Sequence, residues 1–426
     1  MKKTAFLLSC WTATVLLAVA PQCAVAQQPL TWAQVKTRFE QANPALKADA
    51  LNVDEMRAGE ITAHLRPNPQ FTQAVDGTQI APNNGTWQPL TGTFIVPTLS
   101  YLHERNHKRE LRLQSATEGT RIAESQHEDL QRTLEFTLHT VFVNTLEAKA
   151  ILQLARADLA YYDHIIQISE DRYHAGDIAQ IDLDRIELQR VQYESEIQSA
   201  MVNLRTAKIQ LLQLLNDRTP VEKFDVEGTF DFSDTLPSLD NYRKMALDAR
   251  PDLRASLETI EQAQTNHKLA VANGSTDPTF SGWYTWNAST NNPNANQTAG
   301  GSVSIPLRIF DRNQGEKQRT LIDISRSQEA SEAARAQVFS DVDTAYAQLE
   351  STLALLKPYK AQYTSQSTRV RDTVTYSYQH GGASLLEMLS AQSDYRQVQL
   401  AYLQLIGSYM NAAGQLNLAV GREVIP

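Results

Sequence analysis

His103-Glu104-Arg105-Asn106-His107 is the one stretch whose residue types and spacing spell a metal-dependent catalyst. It fits H-E-x-x-H, in which two histidines one helical turn apart bind zinc and the glutamate acts as base. Only three positions are fixed, and a zinc centre needs a third ligand that nothing nearby supplies. His139, His164, His174, His267 and His380 are scattered and read as surface or packing residues. No phosphate-binding glycine loop, nucleophile elbow or paired catalytic carboxylates are spelled anywhere. Both cysteines, Cys10 and Cys23, lie in the first 26 residues. The rest of the chain therefore forms no disulfide, thiolate metal site or cysteine nucleophile. The reading is a non-enzyme with no metal site and no cofactor.

The elements around these residues carry more information. Lys2 and Lys3 precede an apolar stretch from Ala5 to Ala20, and Ala24-Val25-Ala26 follows as an A-x-A cleavage signal. Residues 1–26 thus read as a secretory signal peptide, with Gln27 starting the mature chain. Cys23 is poorly placed for lipidation, because Gln22 and Pro21 stand where acylation wants a small residue. The whole chain has 39 basic and 48 acidic residues, a net charge of −9. The first 26 residues hold two of the bases and none of the acids, so the remainder is more acidic still. That balance disfavours nucleic acid as a partner. Beyond the signal, no uncharged apolar run approaches the ~20 residues of a spanning helix. Any membrane crossing must use strands.

The chain is written twice. Asn43-Pro44-Ala45-Leu46 resembles Arg250-Pro251-Asp252-Leu253, and Val96-Pro97-Thr98-Leu99 resembles Ile305-Pro306-Leu307. Arg172-Tyr173-His174-Ala175-Gly176 resembles Ser377-Tyr378-Gln379-His380-Gly381. The Gln210–Asn216 segment likewise resembles Gln415–Gly421. These matches keep order and a nearly constant offset, which marks an internal duplication. Residues 30–235 form repeat one and 238–426 repeat two. In each half a short helix (Trp32–Ala42; Leu239–Ala249) is followed by a helix restarted by proline (Pro44–His64; Pro251–Ala272). Two strand-like segments come next. A very long helix follows, from about Leu102 to Tyr173 and from about Gln314 to Tyr378. Glycine breaks it at Gly176 and at Gly381-Gly382, and a last helix runs to about Leu215 or Leu418.

The long helices carry heptad seams. One runs Leu134, Leu138, Val141, Thr145, Ala148, Leu152, Ala155, Leu159, Tyr162, Ile166, Ser169, Tyr173. The other runs Val338, Val342, Ala345, Leu349, Thr352, Leu356, Tyr359, Tyr363, Gln366, Val370. A sustained 3.5-residue period specifies coiled-coil packing. Seventy such residues span roughly 105 Å at ~1.5 Å each. The strand segments alternate: Phe71 and Val75 flank Gln73, Phe94 and Val96 alternate with Thr93 and Ile95, Phe280, Gly282, Tyr284 and Trp286 alternate with Thr279, Ser281, Trp283 and Thr285, and Val303 and Ile305 alternate with Ser302 and Ser304. One apolar and one polar or small face is the pattern of an outer-membrane strand, with lipid on the apolar side. Polar loops, Gly77–Trp87 and Ala288–Ala299, join the pairs and read as extracellular. Four strands cannot close a barrel, and an open edge in lipid leaves unpaired backbone groups at several kcal/mol each. A homotrimer supplies twelve strands and closes it. The fold class is mainly α with a small β part, built as a long-helix α-barrel plus a four-stranded share of a twelve-stranded barrel.

This organisation resembles the outer membrane efflux protein (TolC-like) family over the whole chain after residue 26. Leu65-Arg66-Pro67-Asn68-Pro69 and Ile305-Pro306-Leu307-Arg308-Ile309-Phe310-Asp311-Arg312-Asn313-Gln314-Gly315 are similar to the subgroup serving CzcC-type heavy-metal efflux pumps. Glu104 and Lys108-Arg109 resemble a Glu and a Lys-Arg pair that relatives carry in this region, which competes with the zinc motif. The resemblance implies an outer-membrane β-barrel continuous with a periplasmic α-barrel. It implies a periplasmic adaptor protein and an inner-membrane transporter of the resistance-nodulation-division (RND) type as partners, with outer membrane lipid around the strands. The implied function is a passive conduit for heavy-metal cations, with small organic toxins as the alternative cargo. A structural periplasmic coiled-coil protein is the alternative class, and it has no use for lipid-facing strands. Family gates carry acidic rings just past the glycine breaks, which implies Asp182 and Glu387 at the entrance; a second family ring falls on Ser390 and is lost. Arg172, Tyr173, Gly176, Tyr378, Gly381 and Gly382 correspond to the tip turns that meet the adaptor.

Overall fold

The computed structural model describes residues 28–90, 92–287 and 297–425. The signal-peptide reading, Cys10, Cys23 and most of the second polar loop lie outside the described residues. Nine α-helices and four strands are found among the described residues: α1 (Trp32–Ala42), α2 (Pro44–His64), β1 (Gln70–Asp76), β2 (Phe94–Leu102), α3 (Lys108–Ala175), α4 (Gln180–Leu214), α5 (Leu239–Ala249), α6 (Pro251–Asn273), β3 (Thr279–Asn287), β4 (Gln297–Ser304), α7 (Gln314–Pro358), α8 (Thr364–Gln379) and α9 (Leu385–Val420). No described helix is long and apolar enough to cross a membrane.

Local chemistry sets the helix limits. Pro44 and Pro251 occupy first-turn positions, where a missing N–H costs nothing. The Asn43 side chain accepts from the N–H groups of Ala45 and Leu46 and so caps α2. The first long helix starts six residues later than its sequence pattern indicates, because the chain up to Leu102 is spent in β2 and a turn with positive φ at Asn106 and His107 follows.

The helices pack side by side in two rows that share α3. Towards the sheet the order is α2, α3, α6, α7; towards the far end it is α4, α3, α9, α8. Apolar cores sit near the middle, one around Phe39, Leu138 and Leu211 and one around Tyr242, Leu349 and Leu416. The first seam holds as read, with Leu138, Thr145, Leu152, Tyr162 and Ser169 all buried. The second seam departs from its reading. Val338, Val342, Ala345, Leu349 and Leu356 are buried as the heptad requires and Thr352 is half-buried, but Tyr363, Gln366 and Val370 are exposed. Between α7 and α8, Tyr359–Tyr363 form a π-turn, in which the Thr364 N–H bonds the Tyr359 carbonyl. That turn inserts one residue and moves the inward face to Thr364, Ser367, Arg371, Val374 and Tyr378. Pro358, just before it, lacks the N–H that a regular helix needs.

The strands form one antiparallel sheet in the order β1-β2-β3-β4. Pairing of β2 with β3 joins the two repeats. The register puts Phe71 beside Leu99, Val75 beside Ile95, Phe280 between Tyr101 and Val303, and Trp286 beside Ile95. These side chains share one apolar face with Tyr284. The other face carries Thr72, Thr98, Ser100, Ser281, Ser302, Trp283 and Gly300. Phe94 and Val96 therefore belong to the opposite face from the one the alternation gave them, and Ile95, Leu99 and Tyr101 take their place. Pro97 lies inside β2 rather than ending it; it pairs with Gln73, while Val96 and Pro97 are skipped in the ladder to β3.

Candidate functional site

The end of the molecule farthest from the sheet is built by two turns of the same design. At the end of α3, Gly176 has φ +82°; its N–H donates to the Tyr173 carbonyl (2.9 Å) and the Asp177 N–H donates to the Arg172 carbonyl (2.9 Å). At the end of α8, Gly381 has φ +78°; its N–H reaches the Tyr378 carbonyl (3.1 Å) and the Gly382 N–H reaches the Ser377 carbonyl (2.7 Å). This is the glycine-terminated helix end in which orphan carbonyls are satisfied. Gly176 and Gly381 need their glycines. Gly382 does not adopt positive φ, and a Cβ there would make ordinary contacts.

Arg172 joins the two turns. Its Nη1 donates to the Tyr378 carbonyl at 2.6 Å, and its guanidinium lies 4.6 Å from the Tyr378 ring centroid. The Tyr378 hydroxyl pairs with Ser169 Oγ at 3.1 Å. Tyr378 is only 1% exposed, so its ring shapes the tip from inside and presents no surface to a partner. Tyr173 is half-buried, and its ring lies 5.7 Å from that of His174. Gly176, Gly381 and Gly382 are exposed.

Asp182 and Glu387 occupy the same place in the two repeats, the third residue of α4 and of α9. Both lie at helix N-termini, where the dipole favours negative charge. Their surroundings differ. The Glu387 carboxylate accepts from the Ser384 N–H at 2.7 Å and from its hydroxyl at 2.8 Å, while Ser384 Oγ accepts from the Glu387 N–H at 3.3 Å. Those bonds from Ser384 hold the exposed Glu387 carboxyl below the usual glutamate range. Ala179 stands where Ser384 would be and offers no side-chain oxygen, so Asp182 has no such cap. Asp182 and Glu387 share no hydrogen bond or ion pair. Ser390 is exposed one turn beyond Glu387. The sequence spelled this cap as Ser384-Leu385-Leu386-Glu387, the S-x-x-E signature of a helix start. A second feature was not legible: Arg371 lies between the rings of Tyr161 (4.3 Å) and Tyr395 (3.9 Å).

The H-E-x-x-H stretch lies at the other end, and its three side chains are engaged apart. Residues 103–107 form the turn before α3, so the histidines do not share a helix face. His103 packs against Phe280, Glu104 is in a bidentate ion pair with Arg112, and His107 is exposed beside Glu110. Lys108 is buried against Asp277 at 2.5 Å. No group of three or more metal-ligating side chains occurs among the described residues.

The family model described as outer membrane efflux protein matches residues 243–422, the bulk of repeat two. A relative in Cupriavidus metallidurans, the cobalt-zinc-cadmium resistance protein CzcC, is 23% identical over 96% of this chain and 94% of its own length. Among solved structures, CusC superposes with a TM-score of 0.77 at 18% identity, covering 92% of each chain. The open-state MtrE outer membrane channel of Neisseria gonorrhoeae gives 0.74 at 18% identity, over 92% of this chain and 89% of its own. The chain has the fold of those channels, long helices joined to a four-stranded sheet.

Proposed function

We propose that three copies of this chain form a passive export duct in a tripartite system, coupled through a periplasmic adaptor protein to an RND transporter, and that heavy-metal cations are the cargo. The observation that carries this reading is the open sheet. Its outer strands, β1 and β4, each leave one edge unpaired among the described residues, and its apolar face is bare, with Phe71 68% and Val303 56% exposed. In hydrocarbon those edges must be paired. Twelve strands from three copies meet that need, whereas a lone chain does not.

The helical rows support the same stoichiometry. The far row ends in helices with bare apolar residues: Ile181, Leu188, Val202 and Ile209 at heptad spacing on α4, and Val370 on α8 with Tyr363 in the π-turn before it. Such stripes fit a seam between the α4 of one copy and the α8 of the next. In the trimer, Asp182 and Glu387 would form acidic rings at the entrance, and the turns at Gly176 and Gly381, with Arg172 and Tyr173, would face the adaptor. Residues 1–26 would be removed as a signal, leaving one unit of two repeats.

Metal cargo is supported by the likeness to CzcC and by the acidic entrance, which favours cations. Outer-membrane detergent extracts should contain a heat-modifiable trimer, and cells lacking the protein should accumulate cobalt, zinc or cadmium ions. A monomeric protein in the soluble fraction would overturn the duct. Unchanged metal accumulation with raised sensitivity to organic toxins would overturn the cargo.

A further inference from the structure

About eighteen residues before the Gly176 turn, on α3, Asp158 is buried where four helices meet. It is 2% exposed, and its Oδ2 has no hydrogen-bond partner among the described residues. A neighbouring copy can only bury it further.

Charged and titratable groups face it from every packed helix. From α4 come Glu196 and the Tyr193 hydroxyl; from α8, Arg371; from α9, Arg396. Its own helix adds Tyr161 and Tyr162 on the next turn. Both arginines are engaged elsewhere. Arg396 donates to the two Glu196 oxygens at 2.8 and 2.9 Å and lies over the Tyr193 ring at 5.2 Å. Arg371 is held between Tyr161 and Tyr395 and bonds Asp372 at 2.8 Å. Of these, the contacts of Arg396 with Glu196 and Tyr193 and of Arg371 with Tyr161 tie the α3/α4 hairpin to the α8/α9 hairpin.

A buried carboxyl without a bonded cation favours its neutral form. Burial outweighs the pull of the two arginines and raises Asp158 to about 6, within the range a periplasm experiences.

We propose that Asp158 is a proton-operated latch on the seam between the α3/α4 and α8/α9 hairpins. Neutral, it lies quietly in the seam. Ionised, it competes for Arg371 and Arg396, drawing them off Tyr161, Tyr395 and Glu196 and loosening the two hairpins. The sign follows from linkage. Because the packed seam holds the proton more tightly than an exposed aspartate, with its ordinary value of 3.8, the seam weakens as pH rises from 3.8 through about 6. Acid tightens the tip and neutral pH frees it. The bearing on export rests on the duct reading; the response of the seam does not.

Backbone hydrogen exchange over 364–379 in the detergent-solubilised full chain, corrected for its intrinsic pH dependence, reads the seam directly. Protection should fall at least about tenfold between pH 5.0 and 7.5, centred near pH 6. Asp158→Asn should hold its pH 5.0 protection throughout. His164, His174 and His380 also carry titratable rings in this part of the molecule, so a variant that falls as the wild type does would overturn the latch. A flat wild-type profile would overturn it without any variant. Planar-bilayer conductance of the same preparation tests the duct separately, and a non-conducting protein would count against the duct alone.

Discussion

The Glu387 carboxylate accepts both the backbone N–H and the hydroxyl of Ser384, at 2.7 and 2.8 Å, so the charge assigned to the entrance is also part of a helix cap. Glutamine at 387 keeps an acceptor for the cap and removes only the charge. Glu387→Gln channels should therefore fold normally but lose cation selectivity and divalent block, each by several-fold, in planar bilayers. Unchanged selectivity and block would sink the gate assignment.

Ser384→Ala separates the same two roles differently. It removes the cap, at about 1 kcal/mol for a helix start. It also removes one of the two donors that hold Glu387 below the ordinary value of 4.5, the hydroxyl, while the backbone N–H, the larger contributor, stays. The wild-type ring keeps its charge as pH falls through 4.5, since a lowered carboxyl loses its proton-free form only below its own value. In Ser384→Ala, selectivity should fade at a higher pH than in the wild type. Identical pH profiles would show that the cap does not tune the ring.

Arg172→Ala removes the hydrogen bond to the Tyr378 carbonyl and the cation over its ring. Those contacts join the two tip turns, so basal conductance should rise several-fold while the trimer remains intact on gels. Tyr378→Phe keeps the ring and loses only the Ser169 bond, and should stay close to wild type. Equal conductance in Arg172→Ala and wild type would mean that other contacts hold the tip.

Much of this architecture was written in local chemistry. Pro44, Pro251, Gly176 and Gly381 mark their helix limits because each residue type removes or permits a particular backbone state. The strand faces were harder. Pro97 invites a strand end, yet Thr98 to Leu102 continue β2, because only the ladder to β3 needs to tolerate the missing donor. Asp158 was invisible because its position is polar by type and buried only once four helices from both repeats converge. The Arg172–Tyr378 contact needs residues 206 apart, which no local pattern encodes.

On the inner sheet face Trp283 lies over Gly300, where a Cβ would come within 2.7 Å of the indole ring. Gly300→Ala should therefore strain the β3–β4 pairing by about 1–3 kcal/mol. The yield of heat-resistant trimer should drop. Trp283→Ala in the same chain opens the space and should restore part of that yield. Failure of the second change to help would show that Gly300 matters for backbone freedom rather than for the ring.

The π-turn at Tyr359–Tyr363 makes a prediction that separates a seam from a sequence. It contributes one residue beyond the regular helix, and everything after it is inward-facing one position later than the heptad projects. Deleting Ala361 removes that residue. The helix can then run straight, with Thr364, Ser367, Arg371, Val374 and Tyr378 falling on the projected heptad. The variant should assemble with a thermal midpoint at or above that of the wild type. Deleting Gln153 from α3, which has no such turn, is the control. One residue there rotates all that follows by roughly 100° at 3.6 residues per turn and turns Tyr162, Ile165 and Ser169 out of the seam. That deletion should abolish assembly. If both deletions were tolerated alike, or both lethal, the π-turn would not be what sets the register of α8.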